Sequence, residues 1–225
     1  MIKETIIISL GGSLVAPNEI DVEFLKKFKK TLGRYFKKKK FFIIVGGGKI
    51  CRVYQKALLD FGAKSIDRDW MGIKITKLNA EIIKQVFTGK SYSEIISDPN
   101  KKVKTNKDII VGAGWKPGCS TDNDAVLIAK NYSIKTIINL TNIDYVYDKN
   151  PNEFPDAKPI ENISWKDFGK IVGDKWSPGK SAPFDPIASK LAAKLGLKVV
   201  LINGKKLEYL EYFLEGKSFI GTTIQ

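Results

Sequence analysis

Short, continuously apolar runs alternate along the chain with longer stretches whose apolar residues recur at helical spacing. Residues 5–10, 41–45, 109–111, 135–140 and 199–202 are rich in β-branched and aromatic side chains and predict buried strands. Asp21 is placed to cap a helix along which Phe24, Leu25, Phe28, Leu32 and Phe36 form one face and lysines fill the other. Val53, Tyr54, Ala57 and Leu58 mark the next helix, ended by Phe61-Gly62. Asp69-Trp70-Met71-Gly72 introduces a longer one running to about Phe87, with Ile75, Leu78, Ile82, Ile83 and Val86 as its stripe. Ser91 to Ser97 reads as a short helix, and 98–102 as a polar surface loop. A helix starts near Asp122 and another covers about Ser164 to Val172; residues 173–184 read as a loop. Asp185-Pro186 pairs an N-cap with proline at the first helical position, opening a helix that ends at Gly196. After the last strand, the Asn203-Gly204 turn and a final helix close the chain.

Strands alternating with helices call for an α/β fold: a mainly parallel sheet covered on both faces, with no linker dividing residues 1–225. Ligands of such sheets sit at the carboxyl ends of the strands. The polar, glycine-bearing turns fall there, after residues 10, 45, 111 and 140. Gly46-Gly47-Gly48 exposes bare backbone ahead of a helix N-terminus, which suits an anion; a tight strand–helix turn is the plainer reading. Gly11-Gly12-Ser13 repeats the design, and two such turns suggest two phosphate-bearing ligands.

Composition narrows the chemistry. The 225 residues are 43% hydrophobic and 28% charged, as in an ordinary globular protein. No apolar run is long enough for a membrane span, no secretory leader pattern is visible, and two cysteines fit a reducing cytosol. There is no histidine, so histidine-dependent triads, general bases and metal ligands are excluded. The +14 formal charge is spread over lysine faces, including the run Lys37–Lys40; with no nucleic-acid module, it favours polyanionic small substrates rather than nucleic acid. Neither G-x-x-x-x-G-K-[ST] nor G-x-G-x-x-G is present. Phosphoryl transfer fits what remains, because it needs two substrates in line, a divalent ion and fixed positive charge. Lys190, about one turn into the helix begun by Asp185-Pro186, leans toward that helix start and is a candidate for the charge.

Six motifs stand in a shared order: Ile8-Ser9-Leu10-Gly11-Gly12-Ser13, Val45-Gly46-Gly47-Gly48, Asp69-Trp70-Met71-Gly72-Ile73, Pro117-Gly118-Cys119-Ser120-Thr121-Asp122, Thr141-Asn142-Ile143-Asp144-Tyr145-Val146-Tyr147 and Asp185-Pro186-Ile187-Ala188-Ser189-Lys190. Together they resemble the amino acid kinase superfamily and, within it, the archaeal-type uridylate kinases, from residue 5 to the Gly-Thr-Thr-Ile ending at 221–224. The resemblance implies a three-layer α/β/α sandwich, transfer of the ATP γ-phosphoryl group to UMP in pyrimidine nucleotide biosynthesis, Mg2+ with ATP, a cytoplasmic enzyme and a homohexamer. It places Ser9, Leu10, Gly11, Gly12, Ser13, Gly48 and Arg52 on the ATP phosphates, and Thr141, Asn142, Tyr147 and Asn150 on the ATP nucleoside. UMP falls to Gly47, Asp69 and the loop Trp115, Lys116, Pro117, Gly118, Cys119, Ser120 and Thr121, so that Gly47 and Gly48 form a wall between two phosphate sites. Asp69 has the competing reading of helix cap. Lys190 and Arg52 are the implied catalytic cations; the direct metal ligands stay open. Three departures stand out. Ser9 occupies a frequent lysine position; Tyr145 and Asn150 replace a glycine and an aspartate; Asn123 and Asp124 replace small apolar residues, so that Asp122 and Asp124 form an acid pair. The rival readings are a related kinase of another small phosphate, such as isopentenyl phosphate, and a non-catalytic nucleotide-binding relative.

Overall fold

The apolar runs become the inner strands of one sheet, and everything else is arranged to cover its two faces. The computed structural model describes residues 3–173 and 182–225. In chain order the elements are β1 (Glu4–Leu10), α1 (Gly12–Val15), α2 (Val22–Gly33), β2 (Lys39–Val45), α3 (Gly48–Asp60), α4 (Ser65–Val86), β3 (Ile109–Gly112), α5 (Thr121–Tyr132) and β4 (Thr136–Thr141). Then follow β5 (Val146–Tyr147), β6 (Pro159–Ile160), β7 (Asn162–Ile163), α6 (Trp165–Val172), α7 (Pro186–Lys194), β8 (Lys198–Asn203), α8 (Leu207–Leu214) and β9 (Thr222–Ile224).

The sheet order is β3-β2-β1-β4-β8-β9-β7, and β3, β2, β1, β4 and β8 run parallel. Alternation along β2 shows why both faces need cover: Phe41, Ile43 and Val45 join Phe28, Ile83, Phe87 and Leu210 on one side. Phe42 and Ile44 join Ala125, Ala129, Phe168 and Ala188 on the other. The result is a three-layer α/β/α sandwich with α2, α4 and α8 on one face and α5, α6 and α7 on the other.

Several expectations need correction. The long helix begins at Ser65, with Asp67 rather than Asp69 in its first turn, so Asp69 lies inside α4 and is no cap. Ser91 to Ser97 is not helical. It runs beside β3 with bridges Ser91↔Ile109 and Ile96↔Gly112, because an open edge strand has backbone groups that need partners. Phe36 packs from the turn beyond α2 rather than from the helix. The final element is the strand β9, antiparallel to β8. Within the expected 173–184 loop, residues 174–181 lie outside the described residues. The stripe of α3 faces outward: Val53, Tyr54 and Phe61 are exposed, and Gln55 is the residue this helix buries.

Candidate active site

Backbone hydrogen bonds continue past the strands and draw the glycine turns together. Gly46 N–H donates to the Leu10 carbonyl at 2.9 Å, and Gly11 N–H to that of Leu140 at 2.8 Å. A Cβ on Gly12 would run into backbone atoms of Gly46 and Gly48; one on Gly48, whose φ is +69°, would run into Gly12. These two glycines are therefore required first by turn-to-turn contact, and Gly48 also by its left-handed backbone. Gly47 differs, since a Cβ there meets the Cys51 side chain one turn along α3.

Over the joined turns lies a cleft of about 270 Å³. Ser9, Leu10, Gly11, Gly12 and Ser13 line it, with Gly47, Gly48 and Arg52 from the second turn and α3. Asp69 of α4, then Lys116, Cys119, Ser120 and Thr121, and Thr141 at the end of β4 complete the expected set that comes together. Asn142, Tyr147 and Asn150 are not among the lining residues. Asn150 is engaged in its own turn, donating from Nδ2 to Glu153 at 2.6 Å and accepting from Asn152 N–H at 3.1 Å. Trp115, Pro117 and Gly118 belong to the loop without lining the cleft. Lys190 is exposed on α7 and is not a lining residue either. Among the described residues the cations lining the cleft are Arg52 and Lys116.

One face of α4 holds three of the surrounding segments. Asp69 Oδ2 accepts from Gly118 N–H at 2.9 Å. Thr76 Oγ1 accepts from Gly114 N–H at 2.9 Å. Asn79 Nδ2 donates to the Gly46 carbonyl at 2.9 Å and to that of Gly47 at 3.2 Å. Thr76 and Asn79 escape the apolar-stripe reading. The signal that finds them is the set Asp69, Gly72, Thr76 and Asn79, three polar side chains and a glycine on one helical face. Asn139, on β4, also lines the cleft, and its Nδ2 donates to the Pro183 carbonyl at 2.7 Å.

Ser9, at the position where the family resemblance implies a frequent lysine, is buried and donates to Asp122 Oδ1 at 2.8 Å, while Asp185 N–H donates to Asp122 Oδ2 at 3.1 Å. Asp122 thus ties β1 to the start of α7, whose N-cap Asp185 accepts from Ala188 N–H at 2.7 Å as expected. Desolvation pushes Asp122 up to about 6 and outweighs the two donors, which favour its charged form. Burial likewise pushes Asp124 up to about 7. Burial raises Cys51 to about 11, and burial, reinforced by Asp124, raises Cys119 to about 12, so neither thiol is a nucleophile at neutral pH. Among the described residues no three His, Cys, Asp or Glu side chains gather as ion ligands. A cleft of bare turn backbone, two cations and hydroxyls suits phosphoryl transfer between two phosphate-bearing ligands.

The model of the amino acid kinase family matches residues 4–203. The chain is 32% identical over 224 residues to a uridylate kinase of Pyrococcus abyssi, covering 98% of this chain and 99% of that one. It is 30% identical to a uridylate kinase of Thermococcus sibiricus, covering 94% and 96%. A crystal structure of uridylate kinase from Archaeoglobus fulgidus superposes with a TM-score of 0.83 at 28% identity, covering 99% of this chain and 100% of that one.

Proposed function

The chain belongs to the amino acid kinase family, and from that premise we propose that it transfers the γ-phosphoryl group of ATP to UMP, giving UDP and ADP. The observation that carries this reading is the pair of glycine turns packed backbone to backbone beneath one cleft. Two phosphates held on the two turns are brought within reach of each other, and in-line transfer needs little more than that placement and neutralising charge. The acceptor follows from relatives named uridylate kinase that align over almost the whole chain.

On this reading Ser9, Leu10, Gly11, Gly12, Ser13 and Gly48 hold the donor phosphates, and Thr141, Asn142, Tyr147 and Asn150 serve the donor nucleoside. Gly47, Asp69 and the loop from Trp115 to Thr121 hold UMP. Asp69 contributes twice, because the carboxylate oriented toward the cleft already fixes the loop through Gly118. Arg52 and Lys190 supply charge to the moving phosphoryl group, Arg52 from the cleft wall and Lys190 from the second turn of α7. The magnesium ion is part of the ATP substrate complex and supplies charge neutralisation between its phosphates. We read residues 1–225 as one domain, active in the cytoplasm in pyrimidine nucleotide synthesis. We place the contact of the expected hexamer on the outward apolar face of α3 and the start of α4, where Ile50, Val53, Tyr54, Phe61, Ile66 and Trp70 stand exposed.

A coupled assay of ADP release against UMP, CMP, dUMP and isopentenyl phosphate tests the reading. UMP-dependent turnover on the order of 1–100 per second is expected. ATP binding without turnover of UMP overturns it.

A further inference from the structure

The first turn of α5 carries two acids that face different ways. Asp122 lines the cleft, whereas Asp124 is 1% exposed and faces the back of the acceptor loop. Asp124 Oδ2 accepts from Trp115 N–H at 3.1 Å, and its Oδ1 accepts from the Cys119 thiol at 3.2 Å. Asn123 Nδ2 donates to the same sulfur at 2.8 Å. One side chain therefore grips both ends of the segment 115–119, while Asp69 holds Gly118 from α4. Lys116, between the two grips, is left to line the cleft, with its Nζ 4.0 Å from the centre of the Trp115 ring.

An acid serving only the helix dipole works from water and needs no partners. Burying a carboxylate is costly unless hydrogen bonds compensate it, and here the loop supplies them. We propose that Asp124 is a positioning residue for the phosphate acceptor, holding the 115–119 loop in its binding shape through Trp115 and Cys119. The inference rests on the assignment of this loop to UMP.

Among the described residues, the titratable and charged groups facing Asp124 are Cys119 and Lys116 from the loop and Asp122 from its own helix. Burial raises Asp124 to about 7, so its charge changes close to neutrality. Ionised, it accepts from both loop donors. Protonated, one oxygen becomes a donor itself and the grip on one end of the loop weakens.

The test is calorimetric UMP binding to the full chain without ATP, comparing wild type with Asp124→Asn at pH 8 and pH 6. Asparagine has the shape of the protonated acid, so the fold is retained, and unchanged affinity for a non-hydrolysable ATP analogue verifies that. At pH 8 the variant is expected to bind UMP roughly three- to tenfold more weakly. The ratio of the two dissociation constants should close toward unity at pH 6, where wild type carries the same neutral group. The Trp115 amide, followed by hydrogen exchange, should exchange faster in the variant at pH 8. A ratio near unity at pH 8, or one that does not change with pH, overturns the inference. Wild type that binds no UMP at either pH overturns the acceptor assignment itself, and that failure is visible without the variant.

Discussion

On the proposed reading Arg52 supplies charge to the transferring group, and it stands in the cleft wall one turn of α3 beyond Gly48. A preorganised charge on the transferring group is worth about a hundred- to a thousandfold in turnover. Arg52→Ala is expected to lower kcat by that factor while shifting UMP affinity only a few-fold, and Arg52→Lys to recover part of it. Steady-state kinetics decide between this and the other candidate: an unimpaired Arg52→Ala beside a crippled Lys190→Ala moves the role to α7. The glycines of both turns were legible in the sequence because a glycine turn behind an apolar run is a local pattern. Asp122 was legible only as one of a pair of acids. Its partners, Ser9 and Asp185, come from distant strand and loop positions, and no spacing rule connects them. The same holds for Asn79, whose acceptors are the carbonyls of Gly46 and Gly47.

Helical spacing identifies a helix without saying what its apolar side meets, and α3 and α4 show the two consequences. In α4 the expected stripe ran through Leu78, yet Leu78 is 64% exposed and Asn79 is 3% exposed. The rest of the stripe holds, with Ile75 and Ile83 buried and Ile82 and Val86 packed on the core, but at this turn the buried position goes to Asn79, because turn backbone rather than apolar surface packs there. In α3 the positions Ile50, Val53, Tyr54, Ala57, Leu58 and Phe61 follow one helical face, but that face leaves the molecule, and Phe61 is 88% exposed. An apolar face of this extent is stable in water when a second copy covers it. If this face is the contact of the proposed hexamer, Val53→Glu places a charge in its middle and is expected to yield a smaller species with the fold intact. Light-scattering mass beside circular dichroism reads both; an unchanged mass excludes this face as the contact. The main parallel strands were legible from their long apolar runs. Strands β7 and β9 have two and three residues, too few to show a period, and exist because β8 offers an edge to β9 and β9 in turn offers one to β7.

At the scale of the whole molecule, the internal acids beside the cleft set stability against function. Asp122 and Asp124 are raised to about 6 and about 7, chiefly by burial, so the folded chain binds protons that the unfolded chain has already released. The stability they contribute is fully present below the ordinary aspartate range near 4, and it is lost as pH rises through 6 and 7. Asp144, Asp98 and Glu81 are shifted downward by hydrogen bonds, which act in the opposite sense, but they lie on the surface, where solvent screens such effects. Stability should therefore peak on the acid side of neutrality. Replacing Asp124 by the neutral asparagine should raise the melting temperature at pH 8, since it removes an opposition to folding on the order of 2–4 kcal/mol, roughly 5–10 °C for a chain of this size. That gain should shrink steadily toward pH 4, where the acid is neutral in both states. Thermal melts of wild type and Asp124→Asn across that range test the sign directly. A variant less stable than wild type at pH 8 would mean that the two loop hydrogen bonds outweigh desolvation. If the expected gain is seen, the substitution that steadies the fold is also the one expected to loosen the grip on UMP, and the ionised acid is kept at a cost in stability for the sake of the acceptor loop.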